Sequence, residues 1–273
     1  MKKRKKTDRA LLFLLIIFTA LTLFPLFIMI SFSLRGRSLV FASILFPIEP
    51  TIDNYVTIFQ DPLLMGQLRN SVVLSILVTM ICVLVSIITG YGFSRFQFKF
   101  KLPLLYYTFA TRMFPPILIA IGFFKVITRL NLYDNIFSLL LVNTATALPF
   151  SIWMVKNYFD KIPKSIDESA MIDGCSRIKA CFLVIVPIGT PVFLAVGMWT
   201  FLSTWSEYLY ANTFIVSTAK QMITTGIVTL LGHYVVNWGL VMAYAIVISA
   251  PILVLFVFLQ KYFLGGLTEG GIK

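Results

Sequence analysis

The sequence contains few charged residues and few residues of the types that carry chemistry. Only 12% of its 273 residues are Asp, Glu, Lys or Arg, about half the share found in soluble domains. Its single histidine and three cysteines form neither a disulfide framework nor a zinc-ligand pattern. No Gly is followed directly by Lys, so the chain has no P-loop for a nucleotide. These absences exclude a soluble enzyme, a disulfide scaffold and a disordered protein, and we expect neither a metal site nor catalytic residues.

The sequence contains six apolar segments, each about twenty residues long. They lie at about 10–34, 71–93, 104–127, 134–156, 190–211 and 239–263. Each is long enough to cross a hydrocarbon core of roughly 30 Å as a helix. We predict an all-α polytopic membrane protein with six transmembrane helices in a single domain over residues 1–273. The segment at about 10–34 is an uncleaved anchor, because it is too long for a signal peptide, and the core covers about 71–263.

The basic residues indicate the orientation of the chain. With the N-terminus inside, 16 of the 23 Lys and Arg residues fall on the cytoplasmic side and six on the other. The positive-inside rule therefore predicts that both termini are cytoplasmic. The net charge of +12 is then a topology signal and a contact with anionic lipid, and does not indicate nucleic-acid binding.

A long cytoplasmic connection at about 157–189 carries the most information. Pro163 marks the start of a short helix, and Ser165 with Glu168 three residues later is typical of a capping box. Gly174 is predicted to end this helix, and a second short helix is expected at 176–182. Two short helices joined at a glycine would form a projection able to dock into another protein.

This connection resembles the inner-membrane permease subunits of ABC importers. Their pattern is EAA, three residues, Gly, nine residues and then I-x-L-P. The sequence has Glu168-Ser169-Ala170, then Gly174, then Val184-Ile185-Val186-Pro187 at the same spacing. Met113-Phe114-Pro115, Trp205-Ser206-Glu207 and the ending at 265–273 resemble the maltose-type (MalG-like) carbohydrate branch of that family.

The resemblance implies a type I ABC importer permease fold in which the projection is a coupling helix seated on a partner ATPase. It implies a homologous permease subunit, two ABC ATPase subunits and an extracytoplasmic solute-binding protein as partners, in the cytoplasmic membrane of a prokaryote. ATP and magnesium would bind the ATPase, with no cofactor on this chain, and the last outer loop, around 224–233, would contact the binding protein. The residues implied in ATPase coupling are Glu168, Ser169, Ala170, Asp173, Gly174 and Pro187. The residues implied in a tail contact with the ATPase are Thr268, Glu269, Gly270 and Gly271.

Several of these residues also have purely structural interpretations. Glu168 could serve only as a helix cap, and we expect Asp167 and Asp173 to be solvated or helix-terminus charges. Arg112 and Glu207 lie within predicted helices, where an isolated charge is costly. We expect them to contact a partner permease or a water-filled pathway rather than each other.

The aromatic residues near Glu207 also have two interpretations. Trp199, Trp205, Tyr208 and Tyr210 could stack on a sugar, although aromatic side chains are also common at packed and interfacial positions of membrane helices. We retain Trp205 as a candidate pathway or inter-subunit residue, together with Arg112 and Glu207.

The function predicted from the sequence is that of a non-catalytic permease subunit of an ATP-driven importer of a sugar or oligosaccharide. One alternative is the same fold importing another solute, such as glycerol phosphate or a peptide. A second alternative is a self-contained channel or an ion-coupled carrier. An enzyme is the weakest alternative, because no nucleophile–base pair or metal cluster is visible.

Overall fold

A computed structural model describes residues 2–36, 46–47, 49–232 and 236–269, with side chains for those between 11 and 260. All the regular structure in these ranges is helical. The helices are α1 (Lys2–Ser33), α2 (Asp53–Gln60), α3 (Pro62–Arg95), α4 (Lys101–Ala110), α5 (Pro116–Arg129), α6 (Ile136–Phe159), α7 (Lys164–Ile172), α8 (Arg177–Ala180), α9 (Val186–Ile188), α10 (Thr190–Trp205), α11 (Leu209–Phe214), α12 (Ile223–Leu231) and α13 (Trp238–Glu269).

Four helices are long and apolar enough to span a membrane, and two bent pairs raise the number to six if each pair is one span. The four are α1, α3, α6 and α13. One bent pair joins Lys101–Met113 to Pro116–Arg129 at 105°, and the other joins Arg177–Ile188 to Thr190–Trp205 at 77°. The predicted all-α, multi-span fold class is confirmed.

The third predicted span, at 104–127, is not one continuous helix. A 3-10 turn at Thr111–Met113 follows α4, and Phe114 then adopts an extended conformation with φ −78° and ψ 138°. Proline disfavours a helical conformation at the residue before it, and Pro115 is followed directly by Pro116. The pair of prolines therefore ends one helix and begins the next.

Other helix bounds also differ from the predicted ones. The second span begins at Pro62 rather than near residue 71, and the segment between the first two spans contains α2. The fifth span, predicted at 190–211, stops at Trp205 and resumes as α11 at Leu209. Apolarity marks the part of a helix that can lie in lipid, whereas the helix itself can extend into polar sequence.

The described chain forms two compact units. The first contains Met1–Met65 and Gly226–Pro251, and the second contains Gly66–Thr225 and Ile252–Lys273. In the first unit, the Asn54 side-chain amide donates to the carbonyl oxygens of Ser33 at 2.9 Å and Arg35 at 2.8 Å. These bonds hold α2 against the end of α1. The prediction of a single transmembrane domain stays a prediction.

The second unit has two apolar clusters. One joins α3, α5, α6 and α11, and Val78, Leu139 and Phe214 at its centre are fully buried. The other surrounds Val155, Phe159 and Ile185, where α3 and α6 meet the segment between α6 and α10. That segment, residues 160–189, is called the α6–α10 loop below, and the second cluster packs it against the long helices.

Candidate coupling loop and transmembrane cavity

Helix α7 opens the α6–α10 loop, and it begins differently from the predicted capping box. Pro163 is the residue before the helix, with φ −55° and ψ 134°, and no side chain caps the first turn. Ser165 lies inside that turn rather than ahead of it. The predicted Ser165–Glu168 capping box is therefore wrong. The extended backbone and fixed φ of Pro163 set the start of the helix instead.

Gly174 ends α7 in a left-handed turn. Its φ is +89°, a conformation that residues with a side chain rarely adopt. The Gly174 amide donates to the Met171 carbonyl at 3.1 Å, and the Cys175 amide donates to the Ala170 carbonyl at 3.0 Å. This pair of hydrogen bonds is a Schellman motif. A Cβ added at Gly174 would meet no atom of the described residues within 4 Å, so the backbone conformation is sufficient to explain the glycine here.

The second short helix lies close to its predicted position but is shorter. Predicted at 176–182, it covers Arg177–Ala180, and the Ser176 hydroxyl caps it by accepting from the Lys179 amide at 3.3 Å. A π-helical turn at Cys181–Ile185 continues the helical path into α9, which contains Pro187. The helical path is therefore almost continuous from Arg177 to Ile188, and it bends by 77° before α10.

The two faces of α7 differ in exposure. Asp167 and Ala170 are buried, whereas the neighbouring Glu168 and Ser169 are exposed. Ile172 is 86% exposed at the end of α7, and Ile178 is 73% exposed in α8. Another protein that covered these two exposed isoleucines would remove apolar surface from water, which favours binding.

Asp167 lies in the first turn of α7, in agreement with the prediction of a helix-terminus charge, but it is buried in an ion pair and is not solvated. Its Oδ2 atom lies 2.8 Å from Nε of Arg95, and the two side chains are 7% and 5% exposed. The Tyr91 hydroxyl donates to the other carboxylate oxygen at 2.9 Å. Arg95 in turn donates from Nη1 to the Phe159 carbonyl at 3.0 Å. Removal of one partner from such a pair typically costs about 3–5 kcal/mol.

A second polar link lies beside this pair. The Ser94 hydroxyl donates to Asp160 at 2.8 Å, and Lys156 lies 2.7 Å from the other oxygen of the Asp160 carboxylate. Burial by itself raises the pKa of Asp160, but the hydrogen bonds from Lys156 and Ser94 outweigh it, so that the pKa is lowered overall. Asp160 therefore remains ionised and ties the end of α6 to the end of α3.

Arg112 faces two adjoining cavities of about 470 and 340 Å³ in the second unit. Pro116, Thr146 and Tyr210 line both cavities. The Arg112 guanidinium lies 5.2 Å from the centre of the Trp199 ring, within the range of a cation–π contact. The structure thus places the predicted pathway residue Arg112 at an open space between helices.

Glu207 lines the smaller cavity, but its carboxylate has structural partners. One oxygen accepts from the Tyr210 amide at 2.7 Å and the other from the Ala211 amide at 3.0 Å. These are free amides in the first turn of α11, so Glu207 caps that helix. Among the residues whose side chains are described, Arg112 and Glu207 form no ion pair. Trp205 is 2% exposed and stacks on Phe201, so in this conformation its ring presents no free surface.

Asp134 forms a charged contact that the sequence does not reveal. Its carboxylate accepts from the backbone amides of Val216 and Ser217, both at 2.9 Å, and from the Ser217 hydroxyl. Lys220 completes the site with an Nζ–Oδ2 distance of 3.0 Å. The Ser217 hydroxyl and the two backbone amides, together with Lys220, hold the pKa of Asp134 well below its usual range. This contact joins the α5–α6 connection to the segment after α11.

The remaining predicted residues lie partly outside the described structure. Thr268 and Glu269 belong to the last turn of α13 in backbone only, and Gly270 and Gly271 lie outside the described residues. The predicted outer loop at 224–233 contains α12, and His233 lies outside the described residues. The tail contact and the outer-loop contact stay predictions.

Comparison with known proteins shows one family across most of the chain. Residues 82–268 match the family described as "Binding-protein-dependent transport system inner membrane component". The inner membrane ABC transporter permease protein YcjP of Escherichia coli (strain K12) is 31% identical over 263 residues, covering 95% of this chain and 94% of that protein. The trehalose/maltose transport system permease protein MalG of Thermococcus litoralis is 32% identical over 261 residues, covering 94% of each.

A solved structure has the same fold. The crystal structure of a bacterial ABC transporter involved in the import of the acidic polysaccharide alginate contains a chain that matches with a TM-score of 0.83. The match covers 96% of this chain and 98% of that one, at 20% sequence identity. At this identity the likeness is one of fold.

Proposed function

Because the chain belongs to the family of inner membrane components of binding-protein-dependent transport systems, we propose that it is the sugar-translocating permease subunit of an ATP-driven importer. The family match over residues 82–268 carries this proposal, since it includes both the α6–α10 loop and the cavities at Arg112. The trehalose/maltose permease, 32% identical over nearly the whole chain, supports a sugar or oligosaccharide as the solute. An extracytoplasmic solute-binding protein delivers that solute.

The α6–α10 loop is the proposed contact with a partner ATPase. Helices α7 and α8 expose the carboxylate of Glu168 together with Ile172 and Ile178, which is the mixture of apolar and charged groups that a protein partner can cover. The Schellman turn at Gly174 fixes the angle at which α7 meets α8. The residues assigned to this contact are Glu168, Ser169, Ala170, Asp173, Gly174 and Pro187.

The complete importer needs further partners. A homologous permease subunit pairs with this chain to enclose the pathway, and two ABC ATPase subunits bind ATP and magnesium. Thr268, Glu269, Gly270 and Gly271 form a second contact with the ATPase, and the outer loop around 224–233 meets the binding protein. No cofactor is proposed on this chain itself.

The proposed orientation places both termini and the α6–α10 loop in the cytoplasm, in the cytoplasmic membrane of a prokaryote. The excess of Lys and Arg on that side supports it. The solute-binding protein then meets the opposite face, and the cavities at Arg112 lie between the two sides. ATP-driven closure of the ATPases moves the loop, and the permease subunits switch as rigid bodies between inward-facing and outward-facing states.

Purification and reconstitution test this function. The tagged chain is purified from its native membranes in a mild detergent, and mass spectrometry identifies the proteins that accompany it. We expect a second permease and an ATPase. The reconstituted complex with its binding protein should take up at least one of radiolabelled trehalose, maltotriose or raffinose only when ATP is present.

Variants of the loop sharpen the test. Glu168→Ala and Gly174→Leu should reduce ATPase recovery by roughly tenfold or more while membrane insertion is unchanged. Lys125→Gln, which removes an exposed charge on α5 outside the loop, should leave recovery unchanged. A chain that purifies alone as a stable homo-oligomer and transports without ATP would contradict the proposal and favour a channel or carrier. Uptake of glycerol phosphate or a peptide alone would contradict the sugar assignment.

A further inference from the structure

We propose that the buried ion pair between Arg95 and Asp167 is a strut that carries movement of α7 into the long helix α3. Arg95 and Asp167 are then positioning residues for the coupling of ATP hydrolysis to transport. The inference rests on the proposed function, because it presumes that an ATPase moves α7. It assigns a role to two side chains that the family resemblance leaves without one.

The geometry fixes the Asp167 carboxylate from two directions. Nε of Arg95 lies 2.8 Å from one oxygen, and the Tyr91 hydroxyl donates to the other at 2.9 Å. Both of these partners belong to α3, one helical turn apart. A carboxylate held at both oxygens by one helix can neither rotate nor slide along that helix without breaking a buried polar contact.

Arg95 extends the strut to a third element. Its Nη1 atom donates to the Phe159 carbonyl at 3.0 Å, at the end of α6. The neighbouring Ser94 donates to Asp160, which follows α6 directly. The end of α3 is therefore tied both to α7 and to the end of α6, so that a displacement of α7 reaches two long helices.

Directional contacts matter here because the surrounding apolar contacts are not directional. Phe159, Ile162 and Ile185 pack the loop against the helices, but hydrophobic contact alone depends mainly on the area buried and permits small rotations. The ion pair has both side chains less than 10% exposed, and hydrogen bonds from Tyr91 to Asp167 and from Arg95 to the Phe159 carbonyl give it a direction. Together these contacts specify one register, which is a documented role of buried polar groups.

The position of the pair on α7 also suits the transmission of force. Asp167 and Glu168 are consecutive residues, one buried and one exposed. The proposed ATPase contact is therefore one residue away from the strut, about 100° around the axis of the same helix. Movement imposed at Glu168 reaches Arg95 across a single turn of α7.

The decisive variant replaces both charges with apolar side chains. A buried pair replaced as a unit by apolar residues is often neutral for stability, so Arg95→Met/Asp167→Leu separates stability from coupling. We expect this double variant to recover its ATPase and to melt close to the wild type in detergent. The number of sugar molecules transported per ATP hydrolysed should nevertheless fall at least fivefold. A stoichiometry within twofold of the wild type in the assembled double variant would overturn the proposal.

Two further variants keep the test decisive if the double variant does not assemble. Asp167→Asn preserves the side-chain volume and the bond from Tyr91 but loses the charge that faces Arg95, and it should reduce transport per ATP at least fivefold. Tyr91→Phe removes one hydrogen bond and leaves the ion pair, so it should cause a smaller loss. Normal stoichiometry in Asp167→Asn would also overturn the proposal, whereas Tyr91→Phe, which keeps the ion pair, measures the share of the Tyr91 hydrogen bond. Asp53→Asn, which removes an exposed carboxylate elsewhere in the chain, is the control and should match the wild type.

The assay distinguishes this inference from the proposed function. If the wild-type complex shows no ATP-dependent uptake at all, the proposed function has failed. If the wild type transports and the strut variants transport with unchanged stoichiometry, only the strut has failed.

Discussion

The left-handed backbone of Gly174 permits a test that separates local strain from contact with a partner. Its φ is +89°, and nothing lies within 4 Å of the position that a Cβ would take, so Gly174→Ala adds no clash within the chain. Its cost is the backbone strain of a left-handed residue with a side chain, about 1–2 kcal/mol. That corresponds to a factor of roughly 5–30 in the equilibrium between the intact turn and an opened one. Asn tolerates this conformation better, so Gly174→Asn should cost less than Gly174→Ala.

The assay is the affinity of the solubilised permease complex for its ATPase, measured for the wild type and for three variants. Gly174→Ala and Gly174→Leu have about the same backbone cost, so strain alone predicts equal losses of affinity. If the ATPase approaches closely at this turn, the larger side chain of Gly174→Leu should weaken binding by a further factor of roughly ten or more. Equal affinities for the Ala and Leu variants would refute the close approach. Wild-type affinity for the Ala variant would refute the requirement for the turn itself.

Three other substitutions test contacts within the second unit. A Cβ at Gly90 would lie 2.8 Å from Val155, so Gly90→Ala should destabilise the protein by about 1–3 kcal/mol. The control is Gly92→Ala, because no atom of the described residues lies within 4 Å of that position. Equal melting temperatures for the two variants would contradict the close packing at Gly90. Asp134→Asn should lower the melting temperature at pH 7. Because folding lowers the pKa of Asp134, the stability contributed by its carboxylate is present above the usual aspartate pKa of about 3.9 and is lost as the pH falls toward the lower native pKa. If the difference in melting temperature between the wild type and Asp134→Asn were the same at pH 7 and pH 3, this reasoning would be contradicted. Arg112→Met should reduce sugar uptake by roughly tenfold, and unchanged uptake would exclude Arg112 from the pathway.

Much of the fold follows from the sequence because lipid imposes a simple rule. An apolar segment of about twenty residues must satisfy its backbone as a helix, and segments of that kind lie at all six predicted positions. The errors fall where local chemistry interrupts a helix without interrupting its apolarity. Phe114 and the two prolines after it are apolar, so the break they cause does not affect a count of apolar residues. At the break between α10 and α11, the sequence shows Glu207 as a charge within a span and does not show that Glu207 caps α11.

The candidate loop was predictable to a different extent at each residue. Gly174 could be predicted as a helix end because low helix propensity is a property of the residue itself. Asp167 could not be predicted as buried, because its partner Arg95 lies 72 positions away in the sequence and only the fold brings them together. Arg95 follows an apolar span, where the positive-inside rule already accounts for a basic residue. The sequence therefore gives no reason to look for a buried partner of Arg95.

Two of the charged links in the second unit suggest a common physical principle. Asp134 joins the α5–α6 connection to the segment after α11, and Asp167 joins α7 to α3. The Asp134 carboxylate accepts several hydrogen bonds, and the Asp167 carboxylate accepts one from Tyr91 and pairs with Arg95, so each segment is held by polar contacts and not by apolar packing alone. The cavities at Arg112 lie among the helices themselves. There Arg112 contacts the Trp199 ring, and the helix that precedes the cavity is interrupted at the prolines after Phe114. Connections that are fixed to their helices transmit a displacement without being deformed themselves. This property suits the rigid-body change of access that we propose for the permease subunits.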